Sequence, residues 1–349
     1  MPSLPKFSLL GALVAAIALL ALPAFAEATL VYVKNPMKPS VFAANDNGGG
    51  AFRVGPGSNP KVSPDGDVIA YAREGKSGRR QLMIAAAAGG GSAPVLGNLQ
   101  ESSYVTFSPD SKLIAALRGP ELGKRTLVLI DVTSGSVQRS VASGFFGGVS
   151  FSPDSSELVF SVARDEKYPP RSDIYRDAIV RAATGSHVPT RITSDHRSLD
   201  PLWGPNGQIV FVKQLNEKGR RYGPKNELYL MNPEGKQVKR LTHTKVDPLL
   251  QGLYPTAWSE SGNQLLAEFE GQDTSYAVTV NPKTGAQKPL GKTGEQGFVG
   301  TAISKDGSMV LGFTGGFEPG PRHMVEAVPY GDGRVQRLVN NAYEPDWSR

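Results

Sequence analysis

The chain has 349 residues with 40 Gly, 27 Pro and no Cys, and 38 basic against 32 acidic residues give a formal net charge of +6. Without Cys there is no disulfide support, no thiol chemistry and no lipid-modified Cys at the start of a mature chain. Length allows one large domain or two smaller ones, and the Gly and Pro content without long amphipathic helical patterns points to an all-β chain.

Lys6 precedes an apolar run from Phe7 to Leu22, which ends in the small-x-small step Ala24-Phe25-Ala26. That is the pattern of a secretory signal cleaved after Ala26. The run is short for a membrane span, which needs ~20 residues. Residues 27–349 then carry a net charge of +5, because Lys6 is the one charge lost.

Strand signals begin at once. Thr29-Leu30-Val31-Tyr32-Val33-Lys34, Ser40 to Ala44 and Ala51 to Val54 are apolar or β-branched runs cut by Asn, Pro and Gly. A turn pattern follows, Val62-Ser63-Pro64-Asp65-Gly66, and it returns six times. The returns are at Phe107-Ser108-Pro109-Asp110, Phe151-Ser152-Pro153-Asp154, Trp203-Gly204-Pro205-Asn206-Gly207, Trp258-Ser259-Glu260-Ser261-Gly262, Ile303-Ser304-Lys305-Asp306-Gly307 and the fragment Pro345-Asp346-Trp347-Ser348. The spacing is 44 to 55 residues. Each interval holds four strand-like pieces, for example Gln208 to Val212, Glu227 to Met231 and Val238 to Thr242 after the Trp203 turn.

Self-similarity at this period, with four short strands per unit, predicts a β-propeller. The N-terminal segment lacks the first strand of a unit, and Tyr343 to Ser348 is a first strand alone. The expected fold is therefore an all-β, seven-bladed propeller of four-stranded blades, closed by pairing the C-terminal strand with the N-terminal strands. The expected domains are a signal peptide, 1–26, and the propeller, 27–349. Pro presets φ in the repeated turn, and its Asp or Asn accepts from nearby amides, so these carboxylates are read as structural. The residue ahead of the small turn residue (Val62, Phe107, Phe151, Trp203, Trp258, Ile303, Trp347) is read as a wedge between blades.

These repeats resemble those of the TolB-type propeller, whose hallmark is Pro-x-Trp-Ser-Pro-Asp-Gly before an Ile-x-Phe strand. Pro201-x-Trp203 and Pro345-x-Trp347 carry the first half, and Ser63 to Gly66, Ser108 to Asp110 and Ser152 to Asp154 carry the second. Arg191-Ile192-Thr193 and Arg240-Leu241-Thr242 match the family's strand-four ending. The resemblance spans the chain after the signal, without the small α/β domain that precedes the propeller in TolB. It implies an exported, protein-binding propeller.

Signals of catalysis are weak. There is no Gly-x-Ser-x-Gly nucleophile elbow. Gly75-Lys76-Ser77 resembles the end of a phosphate loop, but position 70 is Ala where Gly is needed. No pair among His187, His196, His243 and His323 has metal-site spacing. Asp195, His196 and Asp200 form the best polar cluster. Asp200 is equivalent to Asn59, Tyr104 and Glu344, four residues before the small turn residue, and these four are expected to ring a mouth of the central channel.

Charge is the stronger signal. The loops expected to join strands two and three are basic, at Arg73 to Arg80, Arg118 to Arg125, Arg164 to Arg171 and Lys213 to Lys225. The Asp-bearing turns should lie on the other face. The expected partner-binding residues are Arg79, Arg80, Lys124, Arg125, Arg171, Lys218, Arg220, Arg221 and Lys225, with Tyr168 and Tyr222 adding apolar contact. The expectation is a monomeric, non-catalytic binding module, periplasmic or secreted, that docks an acidic protein or anionic envelope component. Nucleic acid, a membrane span after cleavage, metal and cofactor are not expected. The alternative is a lactonase- or hydrolase-like propeller enzyme using Asp200, Glu344 or His196 at the channel mouth.

Overall fold

The computed structural model describes residues 29–75, 78–99, 105–120, 123–179, 188–221, 223–247, 249–271, 274–293, 297–315 and 323–348. The expected signal peptide, Tyr104, His187 and Tyr222 lie outside them. Regular structure among the described residues is entirely β, and no helix there is long and apolar enough to cross a membrane.

Strands β1 (Thr29–Lys34), β2 (Ser40–Asn45) and β3 (Phe52–Pro56) pair in that order, and the last strand of the chain, β27 (Ala342–Trp347), pairs antiparallel with β1. Leu30 stands opposite Trp347 and Val31 opposite Asp346. The amide of Thr29 donates to Ser348 Oγ at 2.9 Å, and the amide of Ser348 donates to Thr29 O at 3.0 Å. The second sheet is β4 (Ser58–Val62), β5 (Val68–Glu74), β6 (Arg80–Ala86) and β7 (Ser92–Gly97) in chain order.

A seven-stranded sheet follows: β8 (Thr106–Phe107), β9 (Leu113–Arg118), β10 (Arg125–Asp131), β11 (Val137–Phe151), β12 (Glu157–Ala163), β13 (Ser172–Ala178) and β14 (Thr190–Arg191). The long β11 joins two groups, its first half pairing β10 and its second half β12. The next sheet holds β15 (Ser198–Trp203), β16 (Ile209–Leu215), β17 (Lys225–Met231), β18 (Lys239–Arg240), β19 (Gly252–Trp258), β20 (Leu265–Glu270), β21 (Ser275–Val280) and β22 (Gln287–Pro289). A single parallel contact, Asn226 to Gly252, links its halves. The last sheet is β23 (Val299–Ile303), β24 (Met309–Thr314), β25 (Met324–Pro329) and β26 (Gln336–Asn340). The strand expected over 238–242 is only β18. Leu241 and Thr242 leave the ladder because both amides donate to Leu228 O.

The recurring turn has one geometry. Ser63 Oγ donates to Asp65 Oδ1 at 2.5 Å and accepts from the amide of Val68 at 2.9 Å, while Asp65 Oδ1 also accepts from the amide of Asp67. Ser108 with Asp110, Ser152 with Asp154 and Ser304 with Asp306 repeat the Ser-to-Asp bond at 2.6 Å. The wedge residues Val62, Phe107, Phe151, Trp203, Trp258 and Ile303 are buried, and Trp347 is half-buried. Apolar clusters form between sheets, as where Val31, Val33 and Val41 of the first sheet meet Ile69, Tyr71 and Met83 of the second.

Candidate functional site

A cleft of about 1260 Å³ opens where the β1–β2, β3–β4, β5–β6 and β9–β10 connections converge. Its lining includes Lys38, Arg53, Arg73, Arg79 and Arg80, with Glu74 as the opposing charge. Arg53 donates twice to Ser40 Oγ and Arg73 once to Gln81 Oε1, so both forks are held. Arg79 and Arg80 are exposed at the start of β6, and neither forms an ion pair among the described residues. Five positive charges around one concavity, against one carboxylate, focus a positive potential there.

The expected partner-binding set divides. Arg79 and Arg80 line the cleft, and Lys124 and Arg125 lie beside Gly119 at its edge. Lys218 and Arg221 are exposed but outside it. Arg171 is exposed and pairs with Asp165 at 3.6 Å. Two members of the set are committed internally. Lys225 is buried, its Nζ held at 3.2 Å by Glu217 and 3.0 Å by Glu227. Arg220 donates to Asp247 O at 2.9 Å and to Leu250 O, tying its loop to the approach to β19. A basic loop in sequence cannot distinguish an arginine facing solvent from one that caps the carbonyls of the adjacent connection. Arg53 is a cleft residue outside the loops read as the basic face, and the fold brings it, with Lys38 and Arg73, to Arg79.

The channel-mouth residues share a backbone state. Asn59, Asp200 and Glu344 have φ of 49°, 48° and 49°, each followed by Pro and each within a β-bulge of a first strand. Glu344 Oε2 accepts from the amide of Asn59 at 2.7 Å. Burial pushes its carboxyl up, while that bond, Lys61 and Arg80 pull the other way. Asp200 Oδ1 accepts from the amide of Gly148 at 2.7 Å, and burial pushes its carboxyl up. Gly147 and Gly148 make this approach possible, since a Cβ on either would fall within about 3.0 Å of Asp200. Tyr104 lies outside the described residues.

Asp195, His196 and Asp200 do not converge. Asp195 pairs with Lys213 at 2.8 Å, and His196 Nδ1 lies 2.7 Å from Asp173 Oδ2. Asp173 also binds Arg191 at 2.5 Å, and Thr193 Oγ1 donates to the amide-paired carboxylate from 3.4 Å. Glu227 occupies the same place in the next group, bound by Arg240, Thr242, Thr244 and Lys225. The Arg-x-Thr strand endings thus clamp a buried carboxylate at the start of strand three. Among the described residues no three His, Cys, Asp or Glu side chains are placed to hold a metal ion.

Sequence reasoning passed over Glu268 and Glu270 on β20. Burial raises both carboxyls, and Glu270 reaches about 7 with the neighbouring charges of Glu268 and Asp200 adding to the effect. Their alternation with Ala267 and Phe269 was the available signal.

No protein-family model and no curated protein matches this chain. Solved structures do. The β-propeller domain of the Trilobed protease from Pyrococcus furiosus, described as having an open velcro topology, aligns with TM-score 0.64 and 16% identity, over 90% of this chain and 92% of that one. TolB from Acinetobacter baumannii aligns with TM-score 0.54 and 18% identity, over 91% and 82%. An oligogalacturonate lyase in complex with manganese aligns with TM-score 0.58 and 15% identity, over 90% and 86%. Likeness at these identities speaks to fold, and the same fold appears in a protein named TolB and in one named as a lyase. The fold of this chain is that of a TolB-like β-propeller.

Proposed function

We propose that this chain is an exported, non-catalytic binding module, a single propeller of seven four-stranded blades closed by β27 on β1. It acts as a monomer in the periplasm or outside the cell, and its basic cleft docks an acidic protein or anionic envelope component. The secretory pattern of residues 1–26 supports export, with a mature chain beginning at Glu27. The seven copies of the turn and the pairing of β1 with β27 support the blade count and closure.

The observation that carries the binding role is the cleft of about 1260 Å³, lined by Lys38, Arg53, Arg73, Arg79 and Arg80 against Glu74 as the one carboxylate among its lining residues. That volume exceeds the usual ~300–1,000 Å³ of small-molecule pockets and suits an extended anionic segment. The enzyme alternative draws less support, because Asp200, His196 and Glu344 are held by three unrelated partners.

The test is fluorescence anisotropy of labelled poly-L-glutamate over a sodium chloride series. The double variant Arg79→Glu/Arg80→Glu should bind roughly tenfold more weakly at low salt, and the difference should shrink as salt screens it. Equal binding by variant and parent across the series would remove the electrostatic reading.

A further inference from the structure

A second polar site stands apart from the basic cleft, where β15, β17, β19 and β20 meet. Tyr254 lies opposite Glu268, and Gly252 opposite Glu270, in the antiparallel β19–β20 pair. With the two-residue period of a strand, Glu268 and Glu270 leave the face opposite Ala267 and Phe269, which are buried in the core. Tyr254, Glu268, Glu270 and Asp200 are each only partly buried as residues. The Asp200 carboxylate rests on the Gly148 amide, and its charge acts on both Tyr254 and Glu270.

An independent observation comes from Asn226, which is 2% exposed. It meets Gly252 at the parallel contact between β17 and β19, and its side chain acts on Tyr254, whose hydroxyl donates to Gln251 Oε1 at 2.7 Å. Its Oδ1 has no hydrogen-bond partner among the described residues. A buried amide oxygen left without a donor is costly and rare. No donor reaches the Glu270 carboxylate among the described residues either, whereas Ser275 donates to Glu268. The nearby cations are engaged elsewhere, Lys225 on Glu217 and Glu227 and Arg220 on backbone carbonyls.

The site is thus rich in acceptors and short of donors. Its carboxylates are not gathered as direct metal ligands. A cation that carries its own N–H donors suits a set of separate acceptors, because each N–H extends the charge toward one of them. Tyr254 and the half-exposed Tyr168 add aromatic side chains of the kind that favour an ammonium.

We propose that Asp200, Glu270 and Asn226 form a subsite for a primary ammonium group, with Glu270 as counter-ion and Asn226 Oδ1 as a neutral acceptor. The groups facing Glu270 are Asp200 from β15, Asn226 from β17, Tyr254 from β19, Glu268 on its own strand and Ser275 from β21. With Glu270 titrating near neutrality, amine binding expels its proton.

The experiment is calorimetric titration of the full chain with 1,5-diaminopentane, in buffers of differing ionisation enthalpy. 1,5-Pentanediol and calcium chloride serve as controls. The diamine should bind with proton release and the diol should not bind. Glu270→Gln and Asp200→Asn should each weaken the diamine about tenfold while keeping the parent melting profile. Nα-acetyl-lysine amide against alaninamide separates a side-chain amine from a terminal one. Absent diamine binding, equal binding by the diol, unchanged affinity in Glu270→Gln, or stoichiometric calcium with no diamine would each overturn the assignment.

Discussion

The backbone amide of Asp65 donates to Ser111 Oγ at 3.1 Å, across 46 residues of sequence. Asp110 repeats the contact with Ser155, also at 3.1 Å, across 45 residues. The separation is one residue more than the repeat, so these two turns are each stitched to the residue after the equivalent Asp one unit later. Ser111 and Ser155 both have φ of 60°, and the left-handed backbone aims their hydroxyls at the neighbouring turn.

This relationship separates two substitutions at one site. Ser111→Ala loses the bond and keeps the strained backbone, at about 1 kcal/mol or more. Ser111→Gly loses the same bond but sits in the left-handed region without strain, recovering roughly 0.5–1 kcal/mol. Thermal melts should rank the parent above Ser111→Gly and that above Ser111→Ala. The reverse order of the two variants would contradict the role given to φ.

Removing residues 343–349 should cost more than any single core truncation. It deletes the pairing with β1, the half-buried Trp347 and the carboxylates that hold the amides of Asn59 and Val62 at 2.7 and 3.0 Å. Loss of one large buried aromatic alone costs ~3–5 kcal/mol. Circular dichroism should show a melting point far below that of the parent or no cooperative transition. Coincident melting curves would refute closure by β27.

Glu227 is fully buried and binds Lys225, Arg240, Thr242 and Thr244. Glu227→Ala leaves the buried Lys225 ammonium with Glu217 alone and takes the carboxylate from Arg240, so its cost should approach but not exceed the about 3–5 kcal/mol of a buried pair broken outright. Glu227→Gln keeps one acceptor oxygen for the Thr244 amide but loses the one that accepts from the Thr242 and Thr244 hydroxyls, and should fall between. Urea titration measures both, and an Ala variant as stable as the parent would show that this clamp adds nothing to the fold.

Acid should loosen the turn face. Hydrogen bonds from Ser152 and Ser156 hold the Asp154 carboxyl below its usual value, and Ser304 and Ser308 do the same for Asp306. A depressed folded-state value means stability that is complete above the ordinary aspartate range, ~4, and lost as pH falls through the lowered value. Ser152→Ala/Ser304→Ala should therefore flatten the acid limb of a stability–pH curve. An acid limb of unchanged slope would assign the acid sensitivity elsewhere.

Sequence alone determined the repeat, the structural role of the turn carboxylates and the meeting of the two chain ends. Each follows from local chemistry: Pro, Asp and Gly define a turn wherever they fall, and a half-unit at each end needs its missing strand. The position of Glu344, Asp200 and Asn59 at one repeat site was equally legible, because register carries it. Only the tertiary structure decided which cations face solvent. Lys225 and Arg220 read like Arg79 and Arg80 along the chain, yet the first pair satisfies buried carboxylates and carbonyls while the second lines a cleft. The Asn226–Tyr254–Glu270 grouping was hidden for the same reason. Its members come from three strands that meet where the parallel Asn226–Gly252 contact joins the two halves of one sheet, and no local pattern encodes that pairing.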